Sequence, residues 1–340
     1  MEGIRPMNNK RIVLAARPQG MPKESDFRLE ELQVPDPEEG QILVRNLYAS
    51  VDPGTRDRLS GEASYIAPVG IGDLVGAATV SEVVASRNSK FAVGDLVAGG
   101  FGWQDYSLSD GRGLRRIEDR RAPLSAQIGV LGIPGLTAYF GLLRVGALQA
   151  GETVLVSSAA GAVGSAVGQI AKIRGAKAVG IAGGPEKCRW LTEDLGFDAA
   201  IDRRAEPDMA AAIARTCPEG VDILFDNVGN ALIEAALPHM RQRGRIVNSG
   251  MTGDYNATAE NRQGIFNTRV FITQRLRMEG FIVFDFADEL AQARSELTDW
   301  ILADRLRYRE DIDQGVESLP AAFVGLFNGD NFGRKLVSLA

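Results

Sequence analysis

One histidine, His239, and two cysteines, Cys188 and Cys217, are all the imidazole and thiol in this 340-residue chain. The cysteines lie in separate segments with no CxxC spacing, so neither a disulfide framework nor a Cys/His zinc site can be assembled from them. His239 has no ligand partner beside it, and neither thiol has a histidine base in its context, so all three are read as packing residues. Long apolar runs are missing as well. None approaches the ~20 residues needed to span a bilayer, and Met1–Lys10 has no apolar core of a signal peptide, so the expectation is a cytoplasmic protein without a membrane partner. Nor is there any block of like charge. The 38 Lys and Arg are interleaved with 44 Asp and Glu for a net charge of −6, which leaves no basic footprint for nucleic acid. No internal repeat or low-complexity segment occurs.

What the chain does have is a 45% hydrophobic content over enough length for about two cores. Glu152 to Gly175, ETVLVSSAAGAVGSAVGQIAKIRG, reads as a buried strand, a small-residue turn and a helix in succession. Thr153–Val156 is an apolar run of strand length, and Ala162–Ile173 carries apolar residues at helical spacing. Between them lies an AxGxxG turn. Ala159 takes the tight-turn position, Gly161 lets backbone approach a pyrophosphate, and Gly164 permits close packing of helix on strand. The residues facing the anion at the helix start are then Ala160, Gly161, Ala162, Val163 and Gly164.

From Arg11 to about Arg121 the period is mostly two, with Pro, Gly and Asp punctuation, which predicts a mostly β domain. Gln127–Val145 turns apolar at helical spacing and contains GIPGLTAYFG. Strand candidates then recur at TVLVSS, AVGIAG, AAID, DILFDN, RIVNSG and EGFIVF, mostly separated by helical stretches. That alternation predicts an α/β fold with a doubly wound parallel sheet. Asp288–Asp304 reads as an amphipathic helix. A helix around Leu319–Phe327 and a last strand at KLVSL suit a return to the first domain.

Several motifs occur in a telling order: SVDPGTRDRL at Ser50–Leu59, FGWQDY at Phe101–Tyr106, GIPGLTAYFG, SSAAGAVGSAVGQIAK, DNVGN at Asp226–Asn230, GDYN at Gly253–Asn256, RLRMEGFIVFDF and GDNFGRKLV. Together the chain resembles the zinc-independent branch of the medium-chain dehydrogenase/reductase superfamily that contains prostaglandin reductase, leukotriene B4 dehydrogenase, alkenal double-bond reductases and curcumin reductase. The resemblance implies a GroES-like catalytic domain over residues 1–126, completed by 305–340, and a Rossmann NADP-binding domain over 127–304. It departs from the family at Gly54, where a Tyr or similar residue is common, and at Arg203, where mammalian members carry a phosphate-binding Tyr.

The second strand ends in Ala182-Gly183-Gly184, without the carboxylate that would hold the ribose 2′-OH of NAD. Lys187 follows at the start of a helix, and Arg203 and Arg204 follow the third strand. With Gly184, these cations predict a basic cup for the 2′-phosphate, and so NADPH as cofactor. The resemblance adds Thr137, Asn227, Gly229 and Asn331 as cofactor contacts, and Phe281 and Val283 flanking the nicotinamide through the backbone of the sixth strand. It also places Tyr255 beside nicotinamide and substrate. A phenol stays protonated at neutral pH and can donate to the oxygen on which charge develops, so Tyr255 is the catalytic candidate. The implied activity is NADPH-dependent reduction of the C=C bond of α,β-unsaturated aldehydes and ketones, with a small-molecule enone as substrate. Quinone reduction on the same fold, or a low-turnover NADPH-binding structural or regulatory role, are the alternatives. An apolar strand near Gly280–Phe284 at the sheet edge predicts a homodimer.

Overall fold

The computed structural model describes residues 8–62, 64–257 and 263–339. It divides into two units, one of Met1–Ile128, Glu310–Asn331 and Lys335–Ala340, the other of Gly129–Arg309 and Phe332–Arg334.

The first unit is built from strands. β1 (Asn8–Leu14) and β2 (Phe27–Gln33) pair antiparallel, from Asn8↔Gln33 to Leu14↔Phe27. β3 (Ile42–Ser50), α1 (Thr55–Ser60), β4 (Thr79–Ser86), β5 (Leu96–Gly99), β6 (Tyr106–Ser109) and the short β7 (Arg115–Arg116) follow. β-branched residues dominate the buried positions of β4, as expected where side chains must pack on a pleated surface. Trp103, Phe27 and Phe323 meet at 5.6 to 5.8 Å between ring centroids in the core, and Trp103 is fully buried.

In the second unit, α2 (Ile133–Phe140) leads to β8 (Thr153–Val156), α3 (Gly164–Ile173), β9 (Lys177–Ala182), α4 (Pro185–Arg189), β10 (Ala199–Asp202) and α5 (Met209–Thr216). β11 (Val221–Asp226), α6 (Asn230–Ala236), β12 (Met240–Asn248), α7 (Arg269–Gln274), β13 (Arg277–Gly280) and α8 (Leu290–Leu302) complete it. The six strands run in the order β10-β9-β8-β11-β12-β13, all neighbours parallel. β8 is buried at every position, as a central strand with helices on both faces must be. The strand order reverses beside β8, so the carboxyl end of β8 is where a doubly wound sheet opens a crevice for ligand.

The tail supplies β14 (Glu310–Gln314), α9 (Leu319–Asn328) and β15 (Arg334–Ser338). They join the first unit's sheet, ordered β14-β15-β3-β4-β5-β7 with β6 also on β3. No helix among the described residues is long and apolar enough to cross a membrane.

One sequence expectation is refined and one corrected. The apolar stretch of helical spacing from Gln127 to Val145 divides into separate pieces. A 3-10 turn spans Leu124–Ile128, α2 begins only at Ile133, and a π turn closes it at Gly141–Val145. Pro134 sits in the first turn of α2, where its missing N–H costs nothing, and Gly135 lies so close to Val130 that a Cβ would stand 1.7 Å from the Val130 carbonyl oxygen. The sixth strand is RMEG, not EGFIVF. β13 ends at Gly280 because its ladder partner β12 ends at Asn248, so Phe281 follows the strand and Val283 opens a 3-10 turn, Val283–Glu289. The Phe281 ring packs over Gly141, where a Cβ would stand 2.6 Å from it, and meets Phe286 edge-on.

Candidate cofactor site

The turn after β8 begins with Ser158 at φ +47°, a left-handed conformation that reverses the chain. Ala159 is fully buried and donates its N–H to Ile181 of β9 at 2.9 Å, which pins the turn to the sheet. Gly161 donates to the Ser158 carbonyl at 2.9 Å, and a Cβ there would meet only that oxygen. At Gly164, by contrast, a Cβ would lie 2.5 Å from the Ser158 oxygen and 2.8 Å from the Ala159 Cα. The first glycine therefore leaves space above the turn, and the second allows α3 to start against the strand. Among the described residues, the N–H groups of Val163 and Gly164 find no acceptor, while that of Ala162 faces the Gly333 carbonyl in the parallel bridge between Gly161 and Gly333. Two open donors at the start of a ten-residue helix, with its dipole behind them, form a cradle that fits a pyrophosphate.

Beside this turn, β9 runs into Gly183 and Gly184, the latter at φ +95°. A Cβ on Gly183 would stand 3.3 Å from Nε of Arg203 and 3.2 Å from Nε of Arg204, so the glycine leaves room for two guanidinium groups at the strand end. Asp202, at the end of β10, reaches this loop and is committed internally. Its Oδ1 accepts from the Gly184 N–H at 2.7 Å and the Arg204 N–H at 2.9 Å. Burial opposes its charge, but these bonds and the charge of Arg204 outweigh burial and hold the carboxyl below its ordinary value. Lys187 lies in the first turn of α4, half-buried, its Nζ 6.0 Å from the centre of the Phe332 ring. Gly184, Lys187, Arg203 and Arg204 thus gather where a ribose 2′-substituent would sit, and they suit a phosphate.

Comparison with known proteins decides the family. Residues 10–117 match the family described as N-terminal domain of oxidoreductase, and residues 162–299 match the one described as zinc-binding dehydrogenase. The chain is 43% identical to NADPH-dependent curcumin reductase of Escherichia coli, with 99% of each chain covered. It is 41% identical to the NADP(+)-dependent 2-alkenal reductase of Nicotiana tabacum, with 98% of each covered. The chain belongs to the medium-chain dehydrogenase/reductase superfamily, in the branch of curcumin, alkenal and prostaglandin reductases. Its backbone superposes on the crystal structure of CurA from Vibrio vulnificus in complex with NADPH with a TM-score of 0.93, at 39% identity over 97% of this chain and 99% of that one. Although one matched family is described as zinc-binding, no group of three or more His, Cys, Asp or Glu residues placed to hold a metal occurs among the described residues.

In this reductase fold, DNVGN closes around a buried carboxylate. Asp226 accepts from Ser157 Oγ at 2.8 Å, Val228 N–H at 3.2 Å and Gly229 N–H at 2.7 Å. Burial nevertheless pushes its carboxyl up to about 6, with the nearby charge of Asp254 acting the same way. Asn227 makes four hydrogen bonds within the protein. Its N–H donates to Ser157 Oγ at 2.6 Å, its side-chain amide to the Ser157 carbonyl at 2.9 Å, and its carbonyl accepts from Thr252 N–H and Oγ1 at 3.1 and 3.0 Å. It therefore braces the β8 turn against the loop that carries Tyr255. Gly229, at φ +121°, lets Asp254 approach, since a Cβ would lie 2.6 Å from the Asp254 Oδ2. Gly253 N–H to the Val228 carbonyl and Tyr255 N–H to the Met251 carbonyl fold this loop over the end of β11, with Tyr255 half-buried. A cavity of about 250 Å³ opens there, lined by Val228, Gly229, Gly253, Asp254 and Asn256 among others.

The other expected contacts are less concentrated. Thr137 lies half-buried on α2, which packs against α3. Asn331 directly precedes Phe332 and Gly333, and Gly333 forms a β-bridge with Gly161. Phe281 and Val283 lie beyond the sixth strand, as described above. A second cavity of about 390 Å³, lined by Cys217, Gly220, His239 and Met240 among others, sits at the amino ends of β11 and β12, away from the cradle. Burial raises the Cys217 thiol to about 11 and also raises Cys188, which makes both poor nucleophiles. Sequence reading missed Ser157, Asp202 and Asp226 as the groups that pin these loops. The two aspartates each end a strand, the one local signal they carried.

Proposed function

We propose that this protein is an NADPH-dependent reductase of the C=C bond of α,β-unsaturated aldehydes and ketones, acting on small molecules in the cytoplasm. The observation that carries the reading is the cradle itself: two unmatched N–H groups at the start of α3, next to a Gly-Gly strand end flanked by Arg203 and Arg204. Relatives described as a curcumin reductase and a 2-alkenal reductase support the reaction class.

Ala160–Gly164 would hold the pyrophosphate, and Gly184, Lys187, Arg203 and Arg204 the 2′-phosphate. Bound in that way, the reduced nicotinamide supplies a hydride for the β-carbon of the enone. The chain's own task is then to receive the charge that develops on the carbonyl oxygen as the enolate forms. Tyr255 takes that part. Its loop is held to the ends of β11 and β12 by Asn227 and Val228, so the hydroxyl is carried on a braced segment. A neutral phenol donates a hydrogen bond to the enolate oxygen, and the α-carbon then takes a proton from solvent water to complete the saturated product.

The test is NADPH consumption measured against a panel of 2-alkenals and enones and, in parallel, against quinones, with product analysis. Saturation of the enone C=C bond with the carbonyl intact is the expected result. Turnover of quinones alone, or binding of NADPH without turnover of any acceptor, would overturn it.

A further inference from the structure

Phe332 stands at a junction the cofactor motifs do not account for. Its neighbour Gly333 donates its N–H to the Ala160 carbonyl at 3.0 Å and bridges Gly161, so the Phe332 ring is anchored one residue from the phosphate turn. Trp190, directly after α4, meets that ring edge-on at 4.9 Å and 86°. Lys187 of α4 places its Nζ 6.0 Å from the ring centre. A second cation shares the same ring, because the Arg309 guanidinium carbon lies only 4.0 Å from its centroid.

The backbone of Arg309 is as firmly placed as its side chain. Its carbonyl accepts the Arg334 N–H at 2.8 Å. Gly333, at φ +79°, comes so close that a Cβ there would stand 2.2 Å from the Arg309 carbonyl oxygen, so only glycine allows the approach. The guanidinium itself is exposed and has neither a carboxylate nor a hydrogen-bond acceptor among the described residues. Stacking on an aromatic face orients the planar fork while leaving its N–H edge open. An oriented, unneutralised guanidinium within one aromatic ring of Lys187 and one residue of the phosphate turn is arranged for a dianion.

We propose that Arg309, laid on Phe332, is a further specificity residue for NADPH and grips the adenosine 2′-phosphate together with Lys187. This rests on the NADPH reading given above. The residues of the cup were legible near the ends of β9 and β10, whereas Arg309 reaches it from the segment between α8 and β14.

The experiment uses the full chain and two probes, 2′,5′-ADP, which carries the 2′-phosphate, and 5′-ADP, which lacks it, titrated by calorimetry. Arg309→Met retains an apolar stem on the Phe332 ring and removes the charge. It is expected to weaken 2′,5′-ADP by about 5- to 50-fold, the loss of one charge-assisted phosphate contact, while 5′-ADP stays within about twofold. Arg309→Lys should recover only part of the loss, because an ammonium has no planar fork. Phe332→Leu, which leaves Gly333 in place, should weaken 2′,5′-ADP in the same selective way. Unchanged 2′,5′-ADP binding in Arg309→Met, or an equal loss with both probes, would overturn the assignment. If the parent protein itself binds 2′,5′-ADP no better than 5′-ADP, the NADPH reading fails instead, and the two failures are told apart.

Discussion

Asp226 is fully buried, yet its carboxyl titrates near 6 rather than near its ordinary 3.8. An acid whose folded value is raised binds its proton more tightly when folded, so between about pH 4 and pH 6 the folded state carries more protons than the unfolded one. The sign is therefore a loss of stability as pH rises through that window, of roughly 2 to 3 kcal/mol by the time Asp226 is ionised. Asp226→Asn removes the titration. Its unfolding free energy relative to the parent should improve by that amount between about pH 4.5 and about pH 7.5, measured by urea unfolding of the cofactor-free protein, and a flat difference would show that Asp226 ionises normally. Lys187 and Tyr255 separate binding from chemistry. Lys187→Ala should raise the NADPH Michaelis constant several-fold and leave NADH kinetics almost unchanged, and equal losses with both cofactors would remove Lys187 from the phosphate cup. Tyr255→Phe should cost on the order of 10- to 1000-fold in turnover with the NADPH dissociation constant nearly constant, as for loss of one oxyanion donor. Turnover within about twofold of the parent would make Tyr255 a wall of the site. Tyr139 offers no substitute, since its hydroxyl donates to Glu296 at 2.6 Å and burial with that bond lifts it to about 12.

At the scale of the element, α3 buries Val167 and Ile170, and its glycines let it approach its neighbours closely. Gly164 lets the helix start against Ser158 and Ala159. Gly168, a turn further on, faces the buried ring of Phe197, where a Cβ would stand 1.9 Å from the ring edge. Gly180 on β9 faces the same ring at 3.1 Å and Ala159 at 2.8 Å. Two effects then compete in Gly168→Ala. Helix propensity favours Ala by about 1 kcal/mol, and overpacking a tight interior costs about 1 to 3 kcal/mol or more. The second should win, because Phe197 is only 4% exposed and has nowhere to swing. The variant is expected to unfold at lower denaturant, and Gly168→Ala combined with Phe197→Leu should recover most of the loss. A single variant more stable than the parent would show that the ring yields.

For the whole molecule, β13 is the open edge of the parallel sheet. Its residues are RMEG, with Arg277 and Glu279 exposed and paired to each other at 3.4 Å, so the strand is less apolar than the sequence suggested. After it, Ile282 is still extended at φ −123°, ψ 148°, and Phe284 and Ile272 nearby are 59% and 78% exposed. An extended edge beside exposed apolar side chains is a template for pairing. We propose that Gly280–Ile282 pairs with its two-fold mate in a homodimer, one isologous contact closing both edges at once. Light scattering at micromolar concentration should give twice the chain mass. Ile282→Lys, which places a charge on that edge, should shift the protein to monomer, and a monomeric parent would contradict the proposal.

Much of this protein followed from local pattern. The AxGxxG turn, the alternation of strand and helix after it and the Gly-Gly end of β9 were enough to place a dinucleotide cradle, because each depends on residues within a few consecutive βα units. What local pattern could not reach was decided by register. β13 stops at Gly280 because β12 stops at Asn248, although the sequence beyond stays apolar. Asn227 is also a brace, because Ser157, 70 positions away, and Thr252, 25 positions away, converge on it. Arg309 and Lys187 share the Phe332 ring, which is set beside the phosphate turn where Gly333 pairs with Gly161. Periodicity reports which face of an element is buried, whereas which distant element covers that face depends on how the strands are ordered and aligned.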